Sequence, residues 1–204
     1  MPSEGLSELL TAAERETEGS RHLPAILEGF SATETVLPTA YRRASRLLTG
    51  LEESQFASLG LNPLKTYFLR SVTVETLLPY LMVWGAREGF LLRPEVGGYG
   101  SFVEEAMAPA GAIAQAKPEV VAILLDREDL AGNLTAACAT LDADEVDAAI
   151  TQAVSRATEI LSAIQRYSTA RVVFQGFVLP AYPLLGDIAD QEAVQDESWA
   201  TARL

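Results

Sequence analysis

Residues 119–125 read Glu-Val-Val-Ala-Ile-Leu-Leu. This run is short, β-branched and almost continuously apolar. Such a run suits a strand covered on both faces, as in a parallel sheet, rather than one with a wet face. Three other segments share the strand signature. Residues 65–70 are rich in aromatic side chains, residues 90–94 are a weaker apolar run, and residues 171–177 end the series. Helical patterns at 74–87, 101–107, 126–138 and 142–167 fall between or after them. Strands alternating with helices predict an α/β domain whose parallel strands are joined by right-handed crossovers. Four strands fit a three-layer, flavodoxin-like arrangement.

Ahead of residue 63 the pattern is helical. Leu6, Leu9, Leu10 and Ala13 recur at helical spacing, a break is expected near His22-Leu23-Pro24, and a second helix is expected over about 39–58. The predicted organisation is a helical extension at 1–62 followed by the α/β domain at 63–204. Pro79 is read as a local irregularity within the 74–87 helix. In the 142–167 helix, Val146, Ile150, Val154, Ile160, Leu161 and Ile164 are predicted to face inward, with Asp142 as N-cap. The acidic tail from Asp187 is read as a solvated terminal helix.

Charge and cysteine content narrow the function classes. The formal net charge is −13, so phosphate backbones and anionic membrane surfaces are repelled and nucleic acid is not an expected partner. The single cysteine, Cys138, allows no intrachain disulfide and is read as a buried thiol. With one cysteine and one histidine, a transition-metal site is not expected. Residues 1–20 lack the charge pattern of a signal peptide. No apolar run approaches the ~18 residues that mark a candidate membrane span. A cytoplasmic protein without cofactor is the expectation.

In open α/β sheets, ligands bind outside the carboxyl ends of the strands. The side chains expected there are Ser71 and Thr73 after the first strand, Tyr99 and Gly100 after the second, Asp126 after the third, and Gln175 near the end of the fourth. Ser71 and Thr73 are placed at a helix start. That suits N-capping, or a nucleophile or anion cradle at a helix N-terminus. The glycines at 97, 98 and 100 lack the spacing of a dinucleotide fingerprint and the lysine of a P-loop. Asp142-Ala143-Asp144 lacks the threonine of a DxDxT phosphatase motif, because Val146 stands in its place. His22, the only histidine, has no sequence relation to Ser71 that would make it a base. Arg42, Arg43 and Arg46 form a basic stripe, read either as a solvated helix face or as a docking patch for an acidic partner.

Four groups of segments follow one another along the chain. They are Ser71-Val72-Thr73 followed by Leu77-Leu78-Pro79-Tyr80-Leu81, and Gly98-Tyr99-Gly100-Ser101-Phe102 followed by Glu104-Glu105. Then come Lys117-Pro118-Glu119-Val120-Val121 with the strand ending at Asp126, and Phe177-Val178-Leu179-Pro180 closing on Leu185-Gly186. In this order and spacing they resemble the amino-terminal domain of FkbH-like proteins. The resemblance implies an SGNH-hydrolase-like fold ahead of a haloacid-dehalogenase-type (HAD-type) domain. In full-length relatives that later domain is associated with glyceryl transfer to an acyl carrier protein in polyketide and related biosynthesis. Ser71 matches the SGNH serine in rough position, but Leu69-Arg70 stand where Gly-Asp is usual. No histidine follows residue 22 to complete a late Asp-x-x-His.

The function expected on these grounds is an auxiliary or non-catalytic SGNH-like domain of an FkbH-like biosynthetic protein. It would bind an acyl carrier protein or the HAD-type domain, with Arg42, Arg43 and Arg46 as the basic face. Two alternatives are an esterase or acyltransferase using Ser71 with an atypical base, and a structural oligomerisation module.

Overall fold

The computed structural model describes residues 2–16, 19–32, 36–132 and 141–176. The expectations for Cys138, for residues 177–186 and for the acidic tail lie outside the described residues. The chain is α/β. Its four strands are β1 (Asn62–Arg70), β2 (Phe90–Tyr99), β3 (Val120–Leu124) and β4 (Arg171–Phe174). They form one parallel sheet in the order β2-β1-β3-β4. That is the order of flavodoxin-like sheets as far as their fourth strand. β3 and β4 are in register from Val120 opposite Arg171 to Ile123 opposite Phe174.

The chain divides into two compact units. The first holds the residues up to Thr66 together with Thr73–Glu95. The second holds Tyr67–Val72 and the chain from Val96 onward.

In the first unit, α1 (Pro2–Arg15), α2 (Leu23–Ala32), α3 (Pro38–Thr49) and α5 (Leu78–Arg87) share a core. A short helix, α4 (Glu53–Phe56), precedes β1. Leu10, Leu23, Ile26, Leu48 and Val83 are fully buried. Burial of each large aliphatic side chain favours folding by about 1.5–3 kcal/mol. Tyr41 stacks between Phe30 and Tyr80, with ring centroids 4.7 and 4.4 Å away. The 1–62 segment therefore shares its core with α5 and with Leu91 of β2. Arg93 of β2 donates to the Leu51 carbonyl at 3.1 Å.

The break expected near His22-Leu23-Pro24 separates α1 from α2, and the irregularity expected at Pro79 is a helix start. Pro24 is the second residue of α2 and Pro79 the second of α5. Proline fits there because the first-turn N–H groups have no intrahelical acceptor to lose. The expected 39–58 helix stops at Thr49, where Gly50 caps it.

In the second unit the core gathers Leu69, Val121, Ile123, Phe102, Ile160 and Ile164. The long helix α9 (Ala143–Tyr167) packs on α6 (Phe102–Met107), α7 (Ala112–Ala116) and α8 (Arg127–Ala131). Asp142 caps α9 as predicted. Its carboxylate accepts the Glu145 N–H at 2.8 Å, and Glu145 reaches back to the Asp142 N–H at 2.9 Å, a complete capping box. Val146, Ile150, Ile160 and Ile164 are buried, but Val154 is 48% exposed, against expectation. β3 alternates fully buried Val121 and Ile123 with half-buried Val120, Ala122 and Leu124. The run expected to be covered on both faces is covered more tightly on one.

Candidate functional site at the carboxyl end of the sheet

In open α/β sheets ligands bind outside the carboxyl ends of the strands where the strand order reverses, and in the order β2-β1-β3-β4 that point lies between β1 and β3. Ser71 and Asp126 come together there. The Ser71 side chain is buried, at 6% exposure. Its Oγ accepts the Asp126 N–H at 2.8 Å, and its own N–H donates to the Leu124 carbonyl at 3.0 Å. Asp126 is exposed and caps α8, with Oδ1 accepting the Glu128 N–H at 3.4 Å.

The helix expected to start at Thr73 starts at Leu78. Leu77 is its N-cap, so Ser71 and Thr73 do not cap it. Thr73 is exposed in the first unit, whereas Ser71 belongs to the second.

β2, expected over 90–94, runs on to Tyr99 and takes in Gly97 and Gly98. The Gly100 N–H donates to the Arg70 carbonyl at 3.1 Å, and Gly100 has φ +72°. Glycine meets that left-handed geometry without a Cβ penalty. The Arg70 guanidinium donates from Nε to the Gly97 carbonyl at 3.0 Å and lies 5.8 Å from the Tyr99 ring centroid. Tyr99 projects outward, at 68% exposure. Gln175 is exposed just past β4, with its N–H on the Ile123 carbonyl at 3.0 Å.

Sequence reasoning missed Glu105 as a site residue. Its Oε1 accepts the Gly98 N–H at 2.8 Å and its Oε2 accepts the Tyr67 hydroxyl at 3.1 Å. The available signal was two adjacent glycines followed seven residues after Gly98 by a helical glutamate, which has no general meaning without the fold.

The remaining candidates belong to the first unit. His22 pairs with Glu16 at 2.9 Å in the first unit. In the same unit Arg43 is held by Glu14. Nε and an Nη donate to the two carboxylate oxygens at 3.0 and 2.9 Å. Arg46, 74% exposed, lies 3.8 Å from the same carboxylate. Arg42 is exposed. The hydrogen bonds from Arg43 hold Glu14 below the ordinary glutamate range and push Arg43 up. Arg43 and Arg46 line a cavity of about 770 Å³ that also carries Glu14, Glu16 and Glu52. The basic stripe is therefore partly neutralised, with Arg42 and Arg46 facing solvent.

Among the described residues, no three His, Cys, Asp or Glu side chains gather into a metal-ligand set. None of the described helices is long and apolar enough to cross a membrane.

No protein-family model and no curated protein matches the chain. Among solved structures it is similar to the N-terminal part of the protein BF1531 from Bacteroides fragilis, which contains a phosphatase domain and was solved complexed with Mg. The identity is 14% and the TM-score 0.49, and the similarity covers 73% of this chain and 40% of that one. The chain thus spans less than half the length of the structure it matches.

Proposed function

We propose that this chain is an auxiliary, non-catalytic domain of the FkbH-like kind. It engages a carrier protein or a HAD-type catalytic domain rather than carrying out chemistry itself. The observation that supports this reading is the state of Ser71. Its buried Oγ serves as acceptor for the Asp126 N–H, and the chain's one imidazole is bonded to Glu16 in the other unit. A serine nucleophile needs a base within hydrogen-bond reach of its hydroxyl, and the described residues offer no imidazole in the second unit. The carboxyl end instead carries backbone and side-chain ties that hold an exposed tyrosine, which suits recognition. The HAD-type domain and the glyceryl transfer associated with it enter from the order of sequence segments that resemble the FkbH-like family.

Calorimetric titration with an acyl carrier protein, and separately with a HAD-type domain of an FkbH-like protein, tests this. Saturable binding to one of them is expected. If the carrier protein is the partner, charge reversal at Arg42 and Arg46 weakens binding and flattens its loss with salt. Failure to bind either partner rejects the auxiliary reading.

A further inference from the structure

We infer that a cavity at the amino end of β3 and β4 binds a phosphate group, free or carried on a small molecule, through Lys117 and Arg166. The cavity, of about 400 Å³, lies within the second unit. Its walls are the end of α7, the last turn of α9 and the short segments that lead into β3 and β4. Lys117 and Arg166 are its two charged residues, and none of the described residues that line it is acidic. Neither cation makes an ion pair with a described residue. On a chain of net charge −13, such a cavity attracts the anions that an acidic surface repels. Hydroxyl donors stand beside the cations, from Ser168 and Thr169. The Ser168 oxygen accepts the Ala170 N–H at 3.1 Å, which leaves its own hydrogen free to donate to a phosphate oxygen. Tyr167, half-buried, and Pro118, buried, give an apolar wall for an organic group on the phosphate.

The backbone of Lys117 is the second observation. With φ +47° and ψ +56° it is the only non-glycine residue of positive φ among the described residues. It closes α7, with its N–H on the Ile113 carbonyl at 3.1 Å. Glycine is the usual residue at such a helix end, because it has no Cβ to strain the left-handed geometry. A lysine there costs stability that a glycine would not, and strain of this kind clusters where a side chain has a task. Cations also complement helix C-termini, which is a structural use for both residues. A helix end amounts to about half a unit charge, and α7 has only five residues. Two full cations therefore exceed what the two helix ends neutralise.

NMR titration of the isotope-labelled full chain with inorganic phosphate, and separately with phenyl phosphate, tests the inference at constant ionic strength. Saturable shifts of the Lys117, Ser168 and Thr169 amides are expected with at least one of the two. The tighter ligand shows whether the phosphate is taken free or on an organic group. Lys117→Gly is expected to weaken that binding about tenfold, the loss of one charge-assisted contact. Its melting temperature is expected to hold or rise, a combination that a purely structural lysine would not give. Arg166→Gln is expected to weaken binding by a similar factor, and it serves alone if Lys117→Gly does not fold. Absence of saturation with both ligands overturns the inference. So do shifts that potassium chloride reproduces, and binding that either folded variant keeps at wild-type strength.

Discussion

Ser71 Oγ and the Asp126 backbone N–H, 2.8 Å apart, join the carboxyl end of β1 to that of β3. With the Ser71 N–H on the Leu124 carbonyl, the residue bridges the neighbouring strand twice. The serine lies just past the carboxyl end of β1, and its oxygen accepts from a backbone donor.

That commitment has a stability consequence. Ser71→Ala leaves the Asp126 N–H without its acceptor in a part-buried setting, a loss of about 1–3 kcal/mol. Urea unfolding is expected to show a lower midpoint with an unchanged slope, the sign of a stability change alone.

Two glycines near Tyr99 are expected to fail for different reasons. Gly97→Ala meets the Glu105 carboxylate and the Phe68 carbonyl, and overpacking of this kind costs about 1–3 kcal/mol. Gly100→Ala meets nothing within 4 Å, so its cost is the left-handed backbone alone, about 1–2 kcal/mol. Combining each with Glu105→Ala separates them. The Gly97 penalty shrinks when the carboxylate is gone, and the Gly100 penalty does not. Denaturation of the three single and two double variants checks this.

The Glu14–Arg43 pair sets an acid limit on the first unit. Hydrogen bonding to Arg43 holds the folded-state pKa of Glu14 below its unfolded value, against the opposing effect of desolvation. The stabilisation is therefore present above the ordinary glutamate value and is lost as pH falls through the depressed one. The pair is partly exposed, so its worth at neutral pH is about 0.5 kcal/mol, and salt reduces it. The stability gap between wild type and Glu14→Gln is expected to close as the pH drops below about 4. Thermal melts over a pH series measure it.

The capping box of α9 gives a further check. Asp142→Ala removes the acceptor for the Glu145 N–H and is expected to cost about 1 kcal/mol. Asp142→Asn, also a good cap, restores most of it. The melting temperatures of the two variants decide.

Much of the second unit was legible because its signals are local. The apolar run at Val120–Leu124, the cap at Asp142 and the helical period of α9 each depend on a few adjacent residues. The proline signals were local too, but they carry two meanings. Pro24 and Pro79 mark helix starts as readily as helix breaks, and here tertiary packing of Leu23 and Val83 selects the start. The site was legible only in part. Ser71, Tyr99, Gly100 and Asp126 could be placed from strand ends. Glu105 could not, because its partners Tyr67 and Gly98 meet it only after β1, β2 and α6 are assembled. The Arg43–Glu14 pair likewise joins residues 29 apart, so the basic stripe read from α3 alone overstated its free charge.

The central claim, that Ser71 is a structural tie and not a nucleophile, is tested most directly by incubating the protein with a serine-reactive fluorophosphonate and mapping any adduct by peptide mass spectrometry. A short acyl ester assayed in parallel reports turnover. The account predicts no modification at Ser71 and no turnover above the rate of the Ser71→Ala variant. A Ser71 adduct accompanied by ester turnover that the variant loses would contradict it.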